Sequence, residues 1–184
     1  YDMYDMLGSV VQSVQAHCVF PTPEEFELMS RRKKLWVAHC PQSNMNANGV
    51  AAPIRRYLDA GIHVGLGTDI AGSNTLSMFR TISDTIVASK IYWNSMERKG
   101  DPFAEKTYLT VSEAFYLATK GGCSFWGKAG SFEEGSLFDA VVIDDAPLWD
   151  FNNRSLRQRI ERVVFQGDER HTVAKFINGR KVYG

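Results

Sequence analysis

Three residues able to bind a metal or move a proton stand at the ends of short apolar runs. His17 closes the run that starts at Val10, His39 closes Leu35 to Ala38, and Asp69 follows Ile62 to Leu66 by way of Gly67 and Thr68. A carboxylate and an imidazole brought together can hold a divalent ion or shuttle a proton near neutral pH. Each residue also has a plainer use. Asp69 has the spacing of an N-cap for the helix that follows. Both histidines could be hydrogen-bonded members of a core, with Ser43 and Asn44 serving the turn after His39. His63 starts its apolar run and is read as structural, and His171, in the charged stretch Gly167-Asp168-Glu169-Arg170, is expected to be solvated. Gly65-Leu66-Gly67 begins like a dinucleotide-binding loop, but Ile70 occupies the third glycine position, where helix and strand must pack closely, so that reading fails. The glycines are read instead as letting the backbone fold tightly beside Asp69.

The elements that would position these residues alternate. Val10 to Val19, Leu35 to His39 and Ile62 to Leu66 have the composition of strands. Thr22-Pro23-Glu24-Glu25 is a capping box with proline at the first helical position, and the helix it opens ends in the bases Arg31 to Lys34, as the helix dipole prefers. Cys40-Pro41-Gln42-Ser43-Asn44 reads as a turn. Pro53 opens another helix and Gly61 stops it. A long helix is expected from about Leu76 to Arg98, closed by Lys99-Gly100-Asp101-Pro102, with Phe79, Ile82, Ile86, Tyr92 and Trp93 at helical spacing for core or interface contacts. Strands and helices in alternation, with no hairpin signal, predict parallel βα units. Functional residues at the carboxyl ends of such strands are the habit of the (β/α)8 barrel, which needs about 250 residues, so this chain holds about three of its units.

Thr110-Val111-Ser112-Glu113 caps a further helix, expected to run through Thr119 and stop at Gly121-Gly122. Beyond it the pattern changes. Gly130 to Gly135 is rich in turns, Phe138 to Ile143 is apolar, and Asn178-Gly179 inside Val173 to Val182 is a strong two-residue hairpin signal. The expected division is residues 1–128 for the βα units and 129–184 for an accessory β-domain segment.

Composition narrows the function classes. The 21 basic and 21 acidic residues cancel, so no net field draws in nucleic acid or anionic lipid. The longest uncharged apolar stretch, Val10 to Phe20, contains Gln12, Ser13, Gln15 and His17 and falls short of the roughly 18 residues of a membrane helix. Three cysteines, Cys18, Cys40 and Cys123, without CxxC spacing argue against a disulfide framework or a structural zinc finger. A soluble protein of a reducing compartment, the cytoplasm, is expected. No signal or transit peptide is evident, and a chain that starts at Tyr1 and enters directly into a strand pattern is expected to lack upstream sequence.

Three segments, Ala16-His17-Cys18, Val37-Ala38-His39-Cys40-Pro41-Gln42-Ser43-Asn44-Met45-Asn46 and Val64-Gly65-Leu66-Gly67-Thr68-Asp69-Ile70-Ala71-Gly72, resemble the last three barrel strands of the metal-dependent amidohydrolase superfamily. Ala114 to Gly122 and Gly130 to Ile143 are similar to the same family's later part, which returns to a small β-sandwich. The resemblance implies an α/β fold: the C-terminal part of a (β/α)8 TIM-like barrel plus strands of a small accessory β-sandwich domain. It implies hydrolytic deamination by a metal-activated water, with guanine converted to xanthine and ammonia. The alternatives are an aminohydrolase for another heterocycle and a non-catalytic truncated module. By the same resemblance Asp69 is a catalytic metal ligand that also takes a proton from water. His17 is catalytic too and binds the attacking water or the substrate, and His39 to Asn46 form a supporting loop. Zinc or another divalent metal is the implied cofactor, a small purine the partner, with no nucleic acid or membrane, and a homodimer the assembly. The family's His-x-His pair, its histidine with a glutamate three residues on, and its purine-gripping residues have no counterpart here. The chain alone is therefore expected to be inactive.

Overall fold

The computed structural model describes residues 2–4, 6–100, 107–148 and 151–184. Strands β1 (Ser13–Ala16), β2 (Leu35–His39) and β3 (His63–Leu66) form a parallel sheet in that order. Helix α1 (Pro23–Arg31) connects the first pair, and α2 (Pro41–Asn48) with α3 (Ile54–Asp59) connects the second. The capping box that opens α1 forms as expected: Thr22 Oγ1 accepts the Glu25 amide at 3.2 Å and Glu25 Oε2 accepts the Thr22 amide at 2.8 Å. Leu35, Val37 and Val64 on the sheet bury themselves against Ile54, Tyr57, Leu109 and Leu117, and each such side chain taken from water stabilises the fold by about 1.5–3 kcal/mol.

The register decides where chemistry can occur. Ala16 lies opposite Ala38, and His39 opposite Leu66. The ladder runs one step further at each edge, with the His17 amide donating to Ala38 O and the Gly67 amide to His39 O, both at 2.9 Å. The carboxyl ends of the three strands are thus nearly flush.

Four expectations need correction. The segment after β2 is not a turn but the helix α2; Pro41 opens it with a pre-set φ and Gly49, at φ +64°, closes it. Gly121 and Gly122 do not stop the helix before them. After α5 (Val111–Tyr116) the chain widens through Leu117–Gly121, with Thr119 at φ −122°, ψ −105°, and stays helical past Gly122. These glycines serve close packing on β3: a Cβ on Gly65 would lie 2.9 Å from Gly122 Cα, and one on Gly121 3.1 Å from Val64 O. β1 is much shorter than Val10 to Val19, because His17 and Cys18 leave the extended conformation at φ +68° and +45°. Finally, His171 is buried rather than solvated, its Nδ1 accepting the Asp168 amide at 3.1 Å.

Helix α4 (Met78–Lys99) matches its expected span within two residues. Gly100, at φ +62°, follows it, while Asp101 and Pro102 of the expected stop lie outside the described residues. Strands β4 (Ala140–Ile143), β5 (Thr172–Ile177) and β6 (Arg180–Tyr183) form an antiparallel sheet. Its hairpin turns at Asn178 (φ +48°) and Gly179 (φ +77°), as the Asn-Gly pair predicts. Helix α6 (Leu156–Gln166) between β4 and β5 is not anticipated by the sequence reading, although Ser155 and Gln158 form its capping box. It packs Val164 against Ile82 and Ile86 of α4 and Ala114 of α5. No helix among the described residues is long and apolar enough to cross a membrane, and Cys18, Cys40 and Cys123 are free thiols.

Candidate active site

At the flush strand ends His17 and Asp69 face one another, Nε2 to Oδ2, at 3.8 Å, with their side chains 45% and 40% exposed. Both stand on left-handed backbone, His17 at φ +68° and Asp69 at φ +50°, and so do their neighbours Cys18 (+45°) and Ala71 (+83°). Each such non-glycine residue costs on the order of 1–3 kcal/mol and persists only where surrounding contacts impose it. Those contacts are visible. The buried Tyr57 hydroxyl donates to Cys18 O at 2.5 Å, and His17 Nδ1 lies 2.8 Å from Asn44 Oδ1. The Asp69 carbonyl accepts the Ser73 amide at 2.8 Å, closing a tight turn. Gly72 completes that turn, since a Cβ there would come within 2.8 Å of Asp69 Oδ2 and 3.0 Å of Ser43 Cβ.

The plainer uses can now be judged. Helix α4 starts only at Met78, so Asp69 is not its N-cap. His17 is half-exposed and points at a carboxylate, which is not the setting of a core histidine. His39 is the core residue of the set, 1% exposed, yet neither ring nitrogen has a hydrogen-bond partner. Burial, and secondly the neighbouring His17, push its pKa down to about 3, so it is neutral. The structure therefore joins two of the three strand-end residues and sets the third aside. His63 is structural as expected, stacked on Trp36 with ring centroids 4.6 Å apart.

Cys40 was not among the expected site residues. Its Sγ lies with His17 and Asp69 in a group whose ligand atoms are all within 4.8 Å of one another. Burial, and then the Asp69 charge, push its pKa up to about 11, so the thiol keeps its proton; it donates weakly to Ala38 O at 3.7 Å. It fills space, since a Cβ on Gly67 would lie 3.0 Å from Sγ. The signal that could have found it is its place immediately after a strand-end residue. A hard carboxylate oxygen beside a borderline imidazole nitrogen, with converging atoms and access from solvent, fits a divalent ion such as zinc. Asp69 is the residue that would hold it. A catalytic zinc site takes about three protein ligands, more than this pair supplies.

Parallel βα units with an acid–imidazole pair at the carboxyl ends of their strands define an α/β protein of the kind that does its chemistry there. The Amidohydrolase family model matches residues 3–182, and the chain belongs to that family. It is 31% identical to the guanine deaminase of Dictyostelium discoideum, covering 99% of this chain and 40% of that protein. It is 33% identical to the probable guanine deaminase of Schizosaccharomyces pombe, covering 100% and 35%. Among solved structures, the guanine deaminase of C. acetobutylicum with guanine bound superposes on the whole chain and 42% of that chain, with a TM-score of 0.88 and 39% identity. The chain thus spans about two-fifths of the length of these relatives.

Proposed function

We propose that the protein carrying this chain is a hydrolytic guanine deaminase that converts guanine and water to xanthine and ammonia. In this reading residues 1–128 are the C-terminal βα units of a (β/α)8 barrel and 129–184 belong to an accessory β-sandwich. The free thiols suit a cytoplasmic setting. The observation that carries the proposal is the His17–Asp69 pair at 3.8 Å on the flush ends of parallel strands, in a chain similar over nearly its whole length to proteins named guanine deaminase.

A zinc or similar divalent ion held at this pair would lower the pKa of a water and so supply a nucleophile near neutral pH. Asp69 would hold such an ion through its carboxylate, and its carboxylate accepts the proton that water gives up and returns it to the departing amino group. His17, anchored at Nδ1 by Asn44, offers Nε2 to the attacking water or to the base and fixes the line of approach to the ring carbon that bears the amino group. Cys18 and Tyr57 hold the turn that keeps His17 there.

The test is ammonia release by the full-length protein from guanine, compared with adenine, a thioadenosine and a chlorotriazine. Guanine turnover at least tenfold above the others is expected. Preferred turnover of another heterocycle moves the assignment to that substrate, and no turnover of any of them supports the non-catalytic alternative.

A further inference from the structure

Helix α2 carries amide side chains that reach away from it. Gln42 Oε1 accepts the Asn74 amide at 2.8 Å, and Asn46 Nδ2 donates to Gly72 O at 3.0 Å. Four residues apart, they lie one turn above the other on a single helix face, and together they hold the far side of the turn that begins at Asp69. Asn44, between them in sequence and on another face, meets His17 Nδ1 at 2.8 Å. One short helix therefore touches the supports of both members of the reacting pair. Beyond Pro41 its own composition gives it little support, since serine and asparagine are poor helix formers.

We infer that α2 is the positioning element of the site, Asn44 setting the ring orientation and tautomer of His17 while Gln42 and Asn46 hold the turn that carries Asp69. The inference rests on the reading of His17 and Asp69 as the reacting pair. An amide oxygen can only accept a hydrogen bond, so the proton of a neutral His17 sits on Nδ1, and Nε2 faces Asp69 with its lone pair. Turned over, the same amide would donate from Nδ2 and move the proton to Nε2. Asn44 Nδ2 is buried without a hydrogen-bond partner. An unpaired buried amide group is unfavourable for stability, so the contact with His17 is the one hydrogen bond that the Asn44 side chain makes there among the described residues.

The test uses the full-length protein labelled with 15N at histidine. The His17 ring should show a protonated Nδ1 and a bare Nε2. Asn44→Leu should leave a mixture of tautomers and lower kcat about ten- to a hundredfold, the range for loss of a supporting partner, with KM within about twofold. Asn44→Asp keeps the acceptor oxygen and should restore the Nδ1-protonated signature. The double variant Gln42→Leu, Asn46→Leu should lose bound metal about tenfold while leaving the His17 signature intact. A protonated Nε2 in the unaltered protein, or an unchanged His17 signature in a folded Asn44→Leu protein, would overturn the part assigned to Asn44. Unchanged metal content in the double variant would overturn the part assigned to the loop. The ring signature needs no substrate, so it stands or falls separately from the assignment of guanine.

Discussion

Among the described non-glycine residues, left-handed backbone occurs in two kinds of place. In the β5–β6 hairpin it falls on Asn178 and Gly179, residues that adopt it at little cost. At the carboxyl ends of β1 and β3 it falls on His17, Cys18, Asp69 and Ala71, of which cysteine and alanine adopt it rarely. The first bend is local and would form in many contexts. The second is imposed from a distance, by Tyr57 on Cys18, by Asn44 on His17 and by α2 on the turn after Asp69. The lesson is that conformational strain here collects at the two residues with chemical side chains, and the framework that imposes it aims them.

The sharpest way to break this comparison is to test the 184-residue chain alone. β1 and β3 each have a partner on one side only among the described residues. The isolated 184-residue chain should therefore self-associate through its open edges, purify with little zinc and release no ammonia from guanine. A monodisperse, zinc-loaded, active monomer by light scattering, elemental analysis and assay would contradict all three.

In the full-length protein, Asp69→Asn keeps the size of the side chain but removes its charge and its basicity. Turnover should fall by about a hundredfold or more, with bound metal reduced, while stability changes by no more than about 1 kcal/mol. Near-normal turnover would sink the site assignment. Gly72→Ala should come next. Its methyl group has to displace Asp69 or Ser43, so we expect a loss of about tenfold or more in kcat, in the range seen when the support of a site is disturbed. A crystal structure of the variant should show the carboxylate moved. The smallest effect belongs to the hairpin. Gly179→Ala meets no neighbouring atom within 4 Å but puts a Cβ on backbone at φ +77°. It should cost about 1–2 kcal/mol in urea unfolding and leave turnover untouched; a change in kcat would mean that the two kinds of bend are not independent.

What was legible in the sequence was local. The capping boxes at Thr22–Glu25 and Thr110–Glu113, the bounds of β2 and the Asn-Gly hairpin depend on residues a few positions apart, and all formed. The candidate pair could also be named, because parallel strands put functional residues at their carboxyl ends. What escaped depends on contacts distant in sequence. Asn46 and Gln42 reach residues 26 and 32 positions away, so a helix of poor formers looked like a turn. Gly121-Gly122 resembled a helix stop because their partners, Val64 and Gly65, are remote in the chain. The burial of His171 follows from packing that no periodicity in its own segment reveals. Helix α6 is the exception: the Ser155–Gln158 capping box that opens it is local and legible in the sequence.

The approach of Gly122 to Gly65, where a Cβ on Gly65 would lie 2.9 Å from Gly122 Cα, has a mechanical consequence. Side chains between a helix and a sheet act as compliant spacers, since rotamer changes absorb small shifts. Here main chain rests on main chain, with nothing soft in between. Segment 117–123 and β3 therefore cannot approach further without main chain moving, which makes the contact a firm support under the strand that leads to Asp69.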